Sequence, residues 1–335
     1  MKIAIITFHC SYNYGSALQA YALQTFLKRK GYCVKIIDYV LSSDFKQYKL
    51  LRFDRYVKKP KYLLSDIYFL NKTIRRKKNF VGFKEKYLDC TEKKYFDNDD
   101  MSELNDMFDV FICGSDQIWN TACTRRVIPP YFLSFVSDDK LKIAYAPSVA
   151  QIHDEVSDEE KKQLKKLVDR IDYISVREES TVPYIKQFTD KQVETVLDPT
   201  LLLDKEDYCD LISDELNSKN KKYIFYYTLQ KNVEMEDYCS RLSEKKGLKI
   251  LYISKADIRK FKNSENIYGI SPNDFIYYIK NAEYIVTNSF HATVFSIIFE
   301  KQFCTFGTKK SFVRMQDFLR ELGIEKRLYK NSSFN

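Results

Sequence analysis

Glycine is scarce in this chain, with eight in 335 residues, and so are proline (seven), histidine (three) and tryptophan (one). Phosphate-binding loops built on repeated glycines are therefore excluded, and neither a GxGxxG nor a Walker pattern occurs. Long apolar runs are missing too. No stretch approaches the roughly 18 residues needed to span a bilayer. Met1-Lys-Ile-Ala-Ile-Ile-Thr-Phe8 lacks the apolar length and small-residue cleavage site of a signal peptide. It reads instead as a buried first strand. The eight cysteines, at 10, 33, 90, 113, 123, 209, 239 and 304, form no CxxC pair. They read as small core residues of a reduced, cytoplasmic protein, and no zinc site is expected.

What is present favours packed interiors. Hydrophobic residues make up 44% of the chain and aromatics 15%, and 335 residues exceed what one core usually organises, so two lobes are expected. The formal charge of +9 is unevenly spread. Residues 46–86 hold fourteen Lys/Arg against Asp54, Asp66 and Glu85, which leaves the rest nearly neutral. Aromatics are interleaved there (Tyr48, Phe53, Tyr56, Tyr62, Tyr68, Phe69). The segment reads as a basic helical insertion, either solvated or set against an anionic membrane surface. No RNP, helix-turn-helix or zinc pattern supports nucleic acid as a partner.

Periodicity alternates between two and 3.6 along the chain. Strand 2–8, helix 16–30 closed by Gly31, and strand 34–38 open a doubly wound sheet. Strands follow at 109–113, 141–146, 173–176 and 193–197, and Ser157 with Glu160 makes a capping box before the helix leading into 173–176. A second α/β series runs through strands 223–228, 249–254 and 284–287, with helices at 233–246, from Ser271-Pro-Asn-Asp274 onward, and at 290–300. The expected class is α/β with two Rossmann-like lobes facing a cleft. The first lobe, 1–204, would carry the 46–86 insertion, and the second, 205–335, would carry the His291 loop. Ligands of open α/β sheets bind beyond the carboxyl ends of strands, which directs attention to loops 9–15, 114–120, 147–150, 177–180 and 287–292.

Those loops hold the candidate residues. Tyr12-Asn-Tyr-Gly-Ser16 feeds a helix N-terminus, a place suited to phosphate or carboxylate, through Asn13 and Gly15. Gly114-Ser-Asp-Gln-Ile-Trp-Asn120 packs Ser115, Asp116, Gln117, Trp119 and Asn120 behind a buried strand. Asp116 suits a general acid or base, or the orientation of a sugar hydroxyl, and a capped turn with Trp119 in the core is equally compatible. Arg177 follows a strand and precedes Glu178 and Glu179, which could simply neutralise it, although guanidinium matches carboxylate or phosphate well. His291 sits at a strand-to-helix junction that favours an anion.

Taken together, Asn13-Tyr-Gly-Ser-Ala-Leu-Gln-Ala-Tyr-Ala-Leu23, Gly114-Ser-Asp-Gln-Ile-Trp-Asn120, Ser175-Val-Arg-Glu178, Leu197-Asp-Pro-Thr-Leu-Leu202 and Thr287-Asn-Ser-Phe-His291 resemble the polysaccharide pyruvyl transferase family. The resemblance covers most of the chain. It implies a GT-B-like fold and transfer of pyruvate from phosphoenolpyruvate to two hydroxyls of a sugar in a cell-surface or capsular glycan or its precursor, forming a ketal and releasing phosphate. It also implies donor contact by Arg177 and His291. With Asp116, these are the expected catalytic residues. The donor side would include Ser289, Phe290, Lys310 and Arg314; the acceptor side, Asn13, Gly15, Ser115, Gln117, Trp119, Asn120, Ser148 and Asp198. No cofactor is expected beyond phosphoenolpyruvate as donor substrate. Three departures stand out: Ala292 and Ala150 replace glycines common in relatives, and Ser289 replaces an arginine, for which Lys309, Lys310 or Arg314 would substitute.

Two alternatives compete with this reading. One is a nucleotide-sugar-dependent glycosyltransferase of GT-B-like architecture in polysaccharide biosynthesis. The other is a basic binding module acting through 46–86. The enzyme reading places the protein in the cytoplasm with a sugar or lipid-linked oligosaccharide acceptor, and the basic segment would bring it to the inner face of the membrane.

Overall fold

The computed structural model describes residues 1–42, 61–149, 157–213, 222–254, 261–307 and 312–329; the side chains of Lys61, Tyr62, Ser65, Val313 and Arg314 fall outside that description. The chain divides into two compact units, Met1–Lys49 with Lys84–Leu203, and Leu50–Phe83 with Asp204–Asn335.

In the first unit, strands β1 (Lys2–Ile6), β2 (Cys33–Tyr39), β3 (Cys90–Tyr95), β4 (Val110–Cys113), β5 (Leu141–Ala144), β6 (Tyr173–Val176) and β7 (Val193–Thr195) form one sheet. Its order is β3-β2-β1-β4-β5-β6-β7, and neighbours are parallel throughout. Such a sheet is covered on both faces, which is why Ile3 to Ile6 and Val110 to Cys113 are buried as unbroken runs. Helix α1 (Tyr14–Arg29) is the first crossover. It starts two residues before the expected Ser16, because Asn13 Oδ1 accepts the Gly15 N–H (2.9 Å) and caps it there. Lys28 and Arg29 occupy its last turn, where cations suit the dipole.

Helices α2 (Lys61–Tyr68) and α3 (Leu70–Tyr87) form the described part of the basic insertion. Helix α4 (Asp158–Val168) begins at the expected Ser157–Glu160 capping box. The second unit contains β8 (Tyr223–Tyr227), β9 (Lys249–Ile253), β10 (Ser264–Asn266), β11 (Tyr284–Thr287), β12 (Gln302–Phe306) and β13 (Leu328–Tyr329) in the order β10-β9-β8-β11-β12-β13, again parallel. Its long helices are α5 (Val233–Lys246), α6 (Pro272–Asn281), α7 (Phe290–Ile298) and α8 (Phe312–Glu321). The expected α/β class, two Rossmann-like sheets in two lobes, is what the chain forms.

Several features depart from expectation, including the unexpected short strands β10 and β13 and helix α8. The insertion, expected in the first lobe, groups with the second unit up to Phe83. Asn79 Nδ2 donates to the Gly269 carbonyl (2.6 Å), and Arg76 donates to the Tyr268 hydroxyl (3.1 Å) while lying 5.4 Å over its ring. Gly269 has φ +85°, and a Cβ there would stand 3.1 Å from the Lys72 carbonyl, so glycine permits the close approach of α3. Strand β3 is not apparent from hydrophobicity because Glu92, Lys93 and Lys94 are exposed, as edge strands often require. Strand β12 was masked by a helix expected to run to 300. Instead α7 ends at Ile298, and Glu300 turns the chain at φ 52°, a left-handed turn made without the glycine that usually announces it.

In each sheet the strand order reverses once, between β1 and β4 in the first and between β8 and β11 in the second. The loops leaving the carboxyl ends of these strands are where open α/β sheets bind ligands.

Candidate functional site

At the β1/β4 switch point, Gly114 ends β4 with φ +117°, and a Cβ there would lie 2.1 Å from the Tyr145 carbonyl oxygen. Only glycine fits. The next residues are locked by side chains from β1 and α1. Thr7 Oγ1 donates to the Ser115 carbonyl (3.0 Å), and Gln19 Nε2 donates to Thr7 Oγ1 (2.9 Å) and to the carbonyls of Phe8 and Ser16. Ser16 donates to Asp116 Oδ2, while Asp116 Oδ1 accepts the Gln117 N–H (2.8 Å). Asp116 itself has φ 69°, a left-handed conformation that Asp tolerates better than most residues. Its carboxylate is thus buried and oriented before any ligand arrives.

A connected polar chain runs from Asp116 to Asp198. The Ser148 N–H donates to the Asp116 carbonyl (2.8 Å), and Ser148 Oγ donates to Glu178 Oε1 (2.9 Å). Arg177 donates from Nε to that same oxygen (3.0 Å) and from Nη1 to Asp198 Oδ2 (2.7 Å). Thr200 donates both its N–H (3.0 Å) and its hydroxyl (2.6 Å) to Asp198 Oδ1. Burial works against the Arg177 charge, but the carboxylates of Glu178, Asp198 and Asp116 outweigh it and hold its pKa above the ordinary value. Arg177 therefore has two carboxylate partners of its own. The turn Pro199–Leu201, capped by Asp198, packs on α1, which brings the Asn13 and Gly15 region to the same end of the sheet.

Of the expected acceptor residues, Trp119 is corrected. It belongs to the hydrophobic core: its indole N–H donates to the Tyr131 carbonyl (3.0 Å), and its ring stacks on Phe132 at 4.9 Å and 3°. An indole has one donor and a large apolar body, and both are satisfied inside. Ser115 and Ser148 are buried and committed to Ala146 and Glu178 respectively. Asn120 caps the one-turn helix Thr121–Thr124 and donates to Gln117 Oε1 (2.8 Å), leaving Gln117 as the partly exposed side chain of this loop.

A second buried charged group went unnoticed in the sequence. His9 Nε2 lies 3.0 Å from Asp38 Oδ1, its Nδ1 lies 3.2 Å from the Thr7 carbonyl, and Lys84 Nζ approaches Asp38 at 2.6 Å. Burial tends to raise the Asp38 pKa, but His9 and Lys84 prevail and lower it to about 2. With 29 and 46 residues separating Asp38 from these partners, no local pattern announces the group.

In the second unit, Asn288 joins the two switch-point loops. Its Oδ1 accepts the Leu229 N–H (2.8 Å), and its Nδ2 donates to the Gln230 carbonyl (2.9 Å). Thr287 Oγ1 donates to the Tyr227 carbonyl (2.7 Å) and accepts the Ser289 N–H (3.0 Å). Ser289 caps α7, accepting the Ala292 N–H at 3.4 Å. Phe290 and His291 are the first two residues of that helix and are buried. The signal in the sequence for Asn288 is its place between Thr287 and Ser289 in the Thr287–His291 motif. Lys309, Lys310 and the Arg314 side chain lie outside the described residues. Among the described residues, no three His, Cys, Asp or Glu side chains form a metal-holding group, and no helix is long and apolar enough to cross a membrane.

Comparison with known proteins agrees with this architecture. UDP-GlcNAc 2-epimerase from Methanocaldococcus jannaschii is similar in structure (TM-score 0.53, 12% identity, covering 98% of this chain and 90% of that one). S. aureus MnaA, solved with UDP, is similar at TM-score 0.50 and 12% identity, covering 98% and 83%. E. coli heptosyltransferase WaaC with ADP-2-deoxy-2-fluoro heptose matches at TM-score 0.41 and 10% identity, covering 91% and 88%. A search of curated protein sequences gave no significant match. At these identities the first two likenesses establish the fold alone, and the third carries no argument. The sequence model for polysaccharide pyruvyl transferase matches residues 13–310, a span containing Asp116, Arg177, Asp198 and His291, and the chain accordingly belongs to the polysaccharide pyruvyl transferase family.

Proposed function

We propose that this protein transfers pyruvate from phosphoenolpyruvate to two hydroxyls of a sugar in a surface glycan or its precursor, forming a ketal and releasing phosphate. The family match over 13–310 carries this reading. The donor brings a carboxylate and a phosphate. His291, in the first turn of α7 behind the Ser289 cap, is where an imidazole and outward-pointing N–H groups serve a phosphate best.

In the proposed reaction, a general acid protonates the vinyl carbon and C2 becomes an oxocarbenium-like electrophile. One sugar hydroxyl adds to C2 and loses its proton. Phosphate then leaves, and the second hydroxyl adds and loses its proton to close the ketal. The chemistry needs an acid, a base and stabilisation of the leaving phosphate. We assign phosphate contact and proton transfer to His291, and acceptor hydroxyls to Asp116, whose carboxylate is pre-oriented by Ser16. Arg177 is assigned to the donor's charge. Its Nε and Nη1 bonds to Glu178 and Asp198 hold the guanidinium in a fixed orientation.

Calorimetry of phosphoenolpyruvate and of UDP-sugars against the wild type and His291→Ala tests the proposal without an acceptor. Saturable phosphoenolpyruvate binding that His291→Ala weakens at least tenfold, about 1.4 kcal/mol, supports it. Binding of a UDP-sugar with none of phosphoenolpyruvate rejects it in favour of a glycosyltransferase.

A further inference from the structure

We propose that the exposed face of α2, together with the cations that follow it on α3, is a docking surface for an anionic lipid bilayer. Helix α2 is inverted for a helix in water. Its acid, Asp66, is only 4% exposed, whereas Leu64, Ile67 and Tyr68 are 73%, 54% and 80% exposed. Positions 64, 67 and 68 are three and four apart and so share one face. Leu63 flanks that face, and Ile74 of α3 is exposed as well. A surface helix ordinarily turns its apolar stripe toward the core and its charge toward solvent. Here the assignment is reversed, as expected of a helix whose outer face meets an apolar phase.

The charge that follows this face along the chain selects the partner. Residues 61–78 contain six Lys/Arg against Asp66 alone. Arg75, Lys77 and Lys78 are exposed, while Arg76 is held over the rings of Phe80 and Tyr268 and helps fix α3 to its own unit. Exposed aliphatic and aromatic side chains with lysine and arginine alongside are the chemistry of a helix lying at an acidic headgroup surface. A second copy of the chain would bring the same positive charge to the contact, and like charges oppose association. Nucleic acid would use the cations and leave Leu64 and Ile67 without a role. Neither α2 nor α3 is long and apolar enough to cross the bilayer, so these helices would lie on it.

Vesicle co-sedimentation of the full chain tests the proposal, using phosphatidylcholine vesicles with and without phosphatidylglycerol. Two variants alter exposed side chains only, Leu64→Asp/Ile67→Asp and Arg75→Gln/Lys77→Gln/Lys78→Gln, and circular dichroism melts should match the wild type. The wild type should bind the phosphatidylglycerol vesicles alone. The acidic pair should reduce binding to background, and the triple variant should weaken partitioning roughly a hundredfold. Equal binding to both vesicle types, or binding that survives the acidic pair, overturns the proposal. So does a wild-type dimer in sedimentation velocity that ignores vesicles and is dissociated by the same pair, because the face would then belong to a second copy.

Discussion

Replacing Arg177 with alanine removes the guanidinium that the carboxylates of Glu178 and Asp198 share, at side-chain exposures of only 7% and 0%. Removing one partner of a buried ion pair costs about 3–5 kcal/mol, mostly from the charge left uncompensated. The lower end applies here, because Ser148 still donates to Glu178 and Thr200 still donates twice to Asp198. At about 2–4 °C per kcal/mol for a unit of this size, the melting temperature should fall by roughly 10 °C. Arg177→Lys keeps the charge, but one ammonium must replace nitrogens that reach two separate partners, so about 1–2 kcal/mol should be lost. Thermal and urea unfolding of both variants measure this directly. An alanine variant that melts within about 2 °C of the wild type would refute the reasoning, since the guanidinium would then hold nothing together. The ranking also bears on function. Inactivity of Arg177→Ala cannot by itself mark donor contact, and Arg177→Lys, assayed well below both transitions, is the informative comparison.

Two further outcomes follow from buried groups. The Asp38 pKa falls from 3.8 to about 2 on folding, so its stabilisation, about 2 kcal/mol, is present above about pH 4 and lost as pH falls through the folded value. The stability gap between wild type and Asp38→Asn, measured by urea unfolding, should close between about pH 4 and pH 2; a gap that widens on acidification contradicts the assignment. Trp119→Ala should cost about 3–5 kcal/mol through the cavity it opens, while Trp119→Phe should lose only about 1 kcal/mol with the bond to Tyr131. An alanine variant of wild-type stability with a raised acceptor KM would return Trp119 to the binding surface.

The chain's local order was open to reading because local causes produce it. Asn13 before Gly15, Ser157 with Glu160, and Ser271-Pro272 with Asp274 each cap a helix through side chains within three residues, so the pattern and its mechanism coincide. The apolar runs of β1, β4 and β11 are buried because parallel sheets cover both faces. Elements whose cause is distant or unmarked leave no such local pattern. Edge strand β3 carries its charges outward, and the Glu300 turn into β12 uses no glycine. Trp119 sat in a polar heptapeptide, and only the ring of Phe132 and the carbonyl of Tyr131, both met after folding, decided that it faces inward.

The alternation of the central strands and helices, the two-lobed class, the family and the residue types at strand ends were determined by the sequence alone, because they depend on periodicity, capping and a motif order that spans the chain. What each of those residues does to its neighbours was decided by tertiary structure. Arg177 acquired Glu178 from the adjacent position but Asp198 from 21 residues away, and Asp116 acquired Ser16 from 100 residues away. His9, Asp38 and Lys84 became a charged cluster only once β1, β2 and the end of α3 were assembled. The reversed face of α2 likewise exists only as a comparison of exposures. A sequence records which side chains are polar, but the partner that neutralises a buried charge, and the side of a helix that meets water, are set by packing against residues far away along the chain.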